Sequence, residues 1–78
     1  MVTPEQVRSY IEKGLQCSEL RVVGDGEHFE ALIVSEAFRG KSRVQRHQLV
    51  YAALGERMRG EIHALSMRTL TPEEATNG

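Results

Sequence analysis

The sequence predicts an α+β fold, a two-layer sandwich with helices on one face of a three-stranded mixed sheet. Three observations point there. Two segments carry apolar residues at helical spacing, and three short segments read as strands. Glycine, proline and capping residues punctuate the intervals between them. The expected order is α-β-β-α-α-β-α.

The first helix begins at Thr3-Pro4-Glu5-Gln6, where Thr3 caps, proline suits the first turn and Gln6 completes a capping box. Val7, Tyr10, Ile11 and Leu15 follow as one apolar stripe, and Gly14 marks the helix end. Leu20 to Val23 reads as a strand, Gly24-Asp25-Gly26 as a turn and His28 to Ser35 as a second strand, which makes a hairpin. The second strand turns fully apolar toward its end, as a central strand does. Glu36-Ala37-Phe38 forms one helical turn before Gly40. Ser42 caps a longer helix expected from about Arg43 to Arg59, with Val44, His47, Tyr51, Leu54 and Met58 on one face and Val50 beside them. Ile62 to Leu70 alternates as a third strand, with His63, Leu65 and Met67 on one side. Thr71-Pro72-Glu73-Glu74 repeats the first capping pattern and opens a short last helix. A strand-helix-strand crossover predicts parallel pairing of strands two and three, preferentially right-handed.

The chain has 78 residues, so one domain is expected over 1–78 with an ordered core of about 3–75. Its hydrophobic share of 40% and charged share of 27% are those of a globular protein. The net charge of −1 excludes a whole-molecule pull toward nucleic acid or anionic lipid. A local exception is Arg39, Lys41, Arg43 and Arg46, a basic run without an intervening acid. One cysteine, Cys17, rules out an internal disulfide framework and suits a reducing compartment. The start Met1-Val2-Thr3-Pro4-Glu5 lacks the basic and apolar regions of a signal peptide, and the apolar runs are too short for a membrane span. A cytoplasmic protein without membrane attachment is therefore expected.

Two familiar motifs fail. Gly40-Lys41-Ser42 resembles the end of a phosphate-binding P-loop, but Ser35 stands where its first glycine belongs. Gly24-x-Gly26 has Phe29 where a dinucleotide fingerprint needs glycine. No nucleophile-base set or paired carboxylates can be assembled, so no enzyme is expected. On position alone His63 caps the edge of the core, His28 is a solvated residue after a turn, and His47 packs on the helix stripe. Cys17 is expected to be a small buried apolar residue.

The stretch Phe38-Arg39-Gly40-Lys41-Ser42-Arg43-Val44-Gln45-Arg46-His47-Gln48-Leu49-Val50-Tyr51 resembles the signature of the BolA family. Ile62-His63-Ala64-Leu65-Ser66 with Leu70-Thr71-Pro72-Glu73 resembles that family's C-terminal half, and Gly24 to Phe29 is similar to the hairpin of its IbaG-like branch. The resemblance implies a fold related to the type II KH arrangement. It does not carry over the RNA-clamping GxxG loop, because Arg43 stands three residues after Gly40.

The resemblance further implies a non-enzymatic interaction module in iron and redox handling. Its partner would be a monothiol glutaredoxin, with a [2Fe–2S] cluster shared between the two proteins and glutathione. His63 matches the family's ligand in the last strand, and His28 is the matching candidate for the second. Neutral imidazole can ligate a cluster iron, so such a site is expected to be acid-sensitive and empty on the isolated chain. The alternative is a DNA-binding transcriptional regulator that uses Arg39, Lys41, Arg43 and Arg46. Alone, the chain is expected to be a monomer or weak dimer.

Overall fold

The computed structural model describes residues 2–60, 62 and 64–77. Helix α1 (Pro4–Gly14) starts as its sequence dictates. Thr3 Oγ1 accepts from the Gln6 amide at 3.2 Å, and Gln6 Oε1 accepts from the Thr3 amide at 2.8 Å. Val7 and Ile11, one turn apart, are fully buried, and Leu15 follows them into the core.

Strands β1 (Glu19–Gly24) and β2 (His28–Val34) pair antiparallel, from Glu19 opposite Val34 to Gly24 opposite Phe29. Strand β3 (Ala64–Leu70) pairs parallel with β2, from His28 opposite Ala64 to Val34 opposite Leu70. The sheet order is β1-β2-β3, which makes β2 central. Successive side chains of a strand face opposite ways. Phe29, Ala31 and Ile33 therefore enter the core together with Leu20, while the registered residues Leu65 and Met67 pack against it partly buried. Arg21, Val23, Glu30, Ser66 and Arg68 remain exposed on strands whose other face is covered. This is the expected mixed sheet with helices on one face.

Ser35 ends β2 and turns the chain. Its hydroxyl donates to the Gln16 carbonyl at 2.6 Å and accepts from the Ala37 amide at 3.1 Å, capping a single 3-10 turn (Glu36–Phe38) that buries Phe38. Helix α2 (Arg43–Leu54) carries a second capping box, between Ser42 and Gln45. A one-turn helix α3 (Arg57–Gly60) precedes β3, and α4 (Pro72–Asn77) ends the described chain.

Three expectations need correction. The helix expected from Arg43 to Arg59 stops at Leu54, because Gly55 adopts φ +60° and breaks it before α3. The face expected to be apolar is also rotated. Val50 and Leu54 are fully buried and His47 is half-buried, whereas Val44 is 66% and Tyr51 42% exposed. The reason lies in the packing of α1 on α2. A methyl group built on Gly14 would meet Ala53 Cβ at 2.8 Å and its Cα at 2.9 Å. Two small residues thus let the backbones close, and the contact runs through Ala53 and Leu54 rather than through Tyr51. The third strand, expected from Ile62, begins at Ala64. Ile62 is buried just before it, while Glu61 and His63 lie outside the described residues.

The close approach makes a prediction. Gly14→Ala adds one methyl group against the α2 backbone and is expected to cost about 1–3 kcal/mol, read as a lower urea midpoint. An unchanged midpoint would mean that the helices stand farther apart than this.

Candidate functional site

The first candidate site lies at the hairpin end of the sheet. Gly26, at φ +99°, turns the chain, and Asp25 Oδ1 accepts from the amides of Glu27 and His28, each at 2.9 Å. These two amides, that of His28 foremost, hold the Asp25 carboxyl below its usual range. The result is a tied loop that presents the exposed His28 at the start of β2. The parallel register sets Ala64, the neighbour of His63 in sequence, opposite His28. Where His63 itself lies is outside the described residues. Cys17 sits beyond the other end of the sheet, beside a concavity lined by Gln16, Ser18, Glu36 and Pro72. Six residue steps along β2 separate the two ends by roughly 20 Å, so Cys17 and His28 cannot share a metal ion. Cys17 is half-buried, its thiol donates to the Leu15 carbonyl at 3.3 Å, and burial pushes its pKa up.

No three potential ligands converge among the described residues. The exposed His28 imidazole on its tied turn is chemically competent as a nitrogen donor to a metal.

The second candidate is the basic run, and the fold divides it. Arg39 forks onto Glu36, hydrogen bonding to both carboxylate oxygens, and lies 3.7 Å from Glu73. Arg46 is bound more extensively. Its Nε donates to the Lys41 carbonyl at 3.0 Å and its Nη1 to the Thr69 carbonyl at 3.1 Å. Its Nη1 and Nη2 grip the Glu74 carboxylate at 2.7 and 3.2 Å, while the guanidinium carbon stands 5.9 Å from the Phe38 ring centre. Only 13% of the Arg46 side chain is exposed. Two of the four cations expected to meet a ligand thus already hold acids of their own chain.

Lys41 and Arg43 stay exposed, and no acid lies within ion-pair distance of either among the described residues. Both line a concavity of about 340 Å³ that Arg46, His47, Met67 and Arg68 also line. Arg68 and His47 were not expected there. Arg68 comes from β3, far from the basic run in sequence, and His47 was read as a packing residue on the helix stripe. Instead His47 is half-buried at the wall of this basic hollow.

The arrangement now has known counterparts. The family profile described as BolA-like protein matches residues 8–74. The chain belongs to the BolA family. Among BolA relatives, the chain is 40% identical over 70 residues to the acid stress protein IbaG of Escherichia coli, covering 88% of this chain and 83% of that protein. It is 45% identical over 51 residues to a Haemophilus influenzae protein named DNA-binding transcriptional regulator BolA, covering 65% of this chain and 50% of that one. The solved structure of a BolA homologue from Coxiella burnetii superposes with a TM-score of 0.84 at 48% identity, over 97% of this chain and 99% of that one. The BolA signature around the basic run and the hairpin order both stand as the sequence suggested.

Two predictions separate structural from free cations. Arg46→Gln abandons the Thr69 and Lys41 carbonyls and is expected to cost about 1–3 kcal/mol of stability, whereas Arg43→Gln should leave the urea midpoint unchanged. Equal effects would contradict the division drawn above. The second concerns Glu74, whose pKa is lowered to about 2, first by Arg46 and then by the Thr71 amide. A depressed carboxyl pKa stabilises the fold above the unfolded value near 4.5, and that contribution fades as pH falls toward 2. Glu74→Gln should therefore lower the melting temperature at pH 7 and progressively less below pH 4.5. A difference that grows with acid would contradict this origin.

Proposed function

We propose that this BolA protein is a non-enzymatic interaction module that pairs with a monothiol glutaredoxin and shares a [2Fe–2S] cluster with it and with glutathione. The observation that carries the reading is His28, an exposed imidazole on a tied turn, set by the sheet register opposite the residue that follows His63. In this reading His28 and His63 hold iron through neutral imidazole, and thiolates of the partner and glutathione hold the rest. A bound cluster would supply one-electron redox chemistry. The chain's own part is to keep the His28 imidazole exposed, to fix its backbone through Asp25, and to offer a sheet end against which a partner closes.

The test is reconstitution with iron, sulfide, glutathione and a monothiol glutaredoxin, followed by visible circular dichroism of the heterocomplex. The wild type should give a spectrum distinct from that of glutaredoxin alone. His28→Ala and His63→Ala should each weaken cluster retention by at least about tenfold, with the fold intact by far-ultraviolet dichroism. Full retention in His63→Ala would end the ligand assignment.

A second reading, DNA-binding transcriptional regulation, is favoured by one surface observation. Lys41, Arg43 and Arg68 share a hollow without an acid among its lining residues, and the Haemophilus relative bears that name. Affinity for a short duplex should then fall linearly with salt on logarithmic axes, and Arg43→Gln should lower the slope by about one. A salt-independent affinity would remove this reading.

A further inference from the structure

The core uses only part of the apolar stripe that the sequence places on α2. Val44, His47 and Tyr51 stand at i, i+3 and i+7 and share one flank of the helix. Val44 and Tyr51 are two of the three large hydrophobic side chains exposed among the described residues, and His47 between them is half-buried. His47 also lines the hollow beside β3, so this flank borders it. The facing wall is Met67, Arg68 and Thr69, three consecutive residues of one strand. Their side chains alternate between the two sheet faces. Met67 packs toward the core, and the register turns Arg68 to the open face with Arg21 and Glu30. A hollow that touches all three therefore runs along the outer edge of β3.

The backbone of that edge is open. The Leu70 carbonyl accepts from the Ser35 amide at 2.9 Å on the β2 side, whereas the Thr69 carbonyl turns outward and accepts from Arg46 at 3.1 Å. Backbone groups of a strand alternate sides, so the N–H and C=O of Leu65 and Met67 point outward with Thr69. The sheet order makes β3 an edge, and no hydrogen bond from elsewhere among the described residues reaches those groups. Such an edge is a template for another strand. Its surroundings select which one. Lys41 and Arg43 stand at the hollow without an acid in ion-pair reach among the described residues, so they attract acids and repel a basic segment. Val44 and Tyr51 add apolar contact on the same side. A nucleic acid meets the charges but lacks alternating N–H and C=O groups at strand spacing. We propose that the outer edge of β3, with the Val44–Tyr51 flank of α2, binds an extended acidic segment of a partner protein as a fourth strand. Carboxylates of that segment meet Lys41 and Arg43. The site uses neither His28 nor His63, so it is independent of the cluster reading.

The experiment is an NMR titration of the labelled full chain at constant ionic strength with a short capped peptide that alternates glutamate and valine. Companion titrations use the same peptide with lysine for glutamate, the same peptide N-methylated throughout, and a short DNA duplex. The acidic peptide should give saturable shifts confined to residues 41–51 and 64–70, and should slow hydrogen exchange at the Leu65 and Met67 amides. Arg43→Gln and Val44→Ser should each weaken its binding by roughly two- to fivefold, while Lys13→Gln, on an exposed position of α1, leaves it unchanged. Shifts no larger than those from added salt would overturn the proposal. Equal binding of the lysine peptide would overturn it by removing the charge selection, and equal binding of the N-methylated peptide by removing the strand ladder. Saturable binding of the duplex without the acidic peptide would overturn it while leaving the DNA reading intact.

Discussion

Phe29, Ala31 and Ile33 project from the central strand into the space that Val7 and Ile11 of α1 and Val50 and Leu54 of α2 fill from the other side. A chain of this size forms one such apolar layer, because a small domain buries only about 60% of the surface its unfolded chain exposes. With a single layer, both long helices must sit on the same face of the sheet. The opposite face is left to Arg21, Val23, Glu30 and Arg68. The close contact of Gly14 with Ala53 brings the helices together over the sheet and sets which stripe of α2 turns inward.

The same layer explains where chemistry is available. His28 stands exposed at the hairpin end beside the buried Phe29, and Lys41 and Arg43 stand exposed before and at the start of α2, so these side chains carry no packing duty. Arg46 stands between the two roles. Its guanidinium joins the loop before α2, the carbonyl of Thr69 late in β3 and the carboxylate of Glu74, which also caps α4 through Thr71. One side chain thus ties α2 to the loop before it, to late β3 and to α4 by charge-assisted hydrogen bonds, which are stronger than neutral ones. Its charge is spent within the molecule.

Hairpin and basic rim are separate surfaces with different chemistry. The hairpin end presents the exposed His28 imidazole on a backbone held by Asp25. The rim presents Lys41 and Arg43, exposed cations with no acid in ion-pair reach among the described residues. The Arg46–Glu74 pair lies nearer the second.

Local chemistry was readable without the fold. The capping boxes at Thr3, Ser42 and Thr71, the Asp25 turn and the strand alternation each depend on residues within about one helical turn of one another, so neighbouring letters determine them. The BolA signature was readable for the same reason, being largely one continuous run. Other features depend on residues distant in sequence and were decided only by tertiary packing. The α2 face was misread because Val44 and Tyr51 look as apolar as Val50, and only the approach of Gly14 to Ala53 chooses between them. The helix end at Gly55 was missed because a lone glycine within a helical pattern is tolerated unless packing turns the chain there. Arg46 looked like a free cation because its acid, Glu74, lies in a helix nearly thirty residues away, whereas the main partner of Arg39, Glu36, stands only three residues before it. The sequence by itself determined the order of the elements and the family; the packing of one apolar layer decided where α2 ends, which face it buries and which charges are satisfied within the chain.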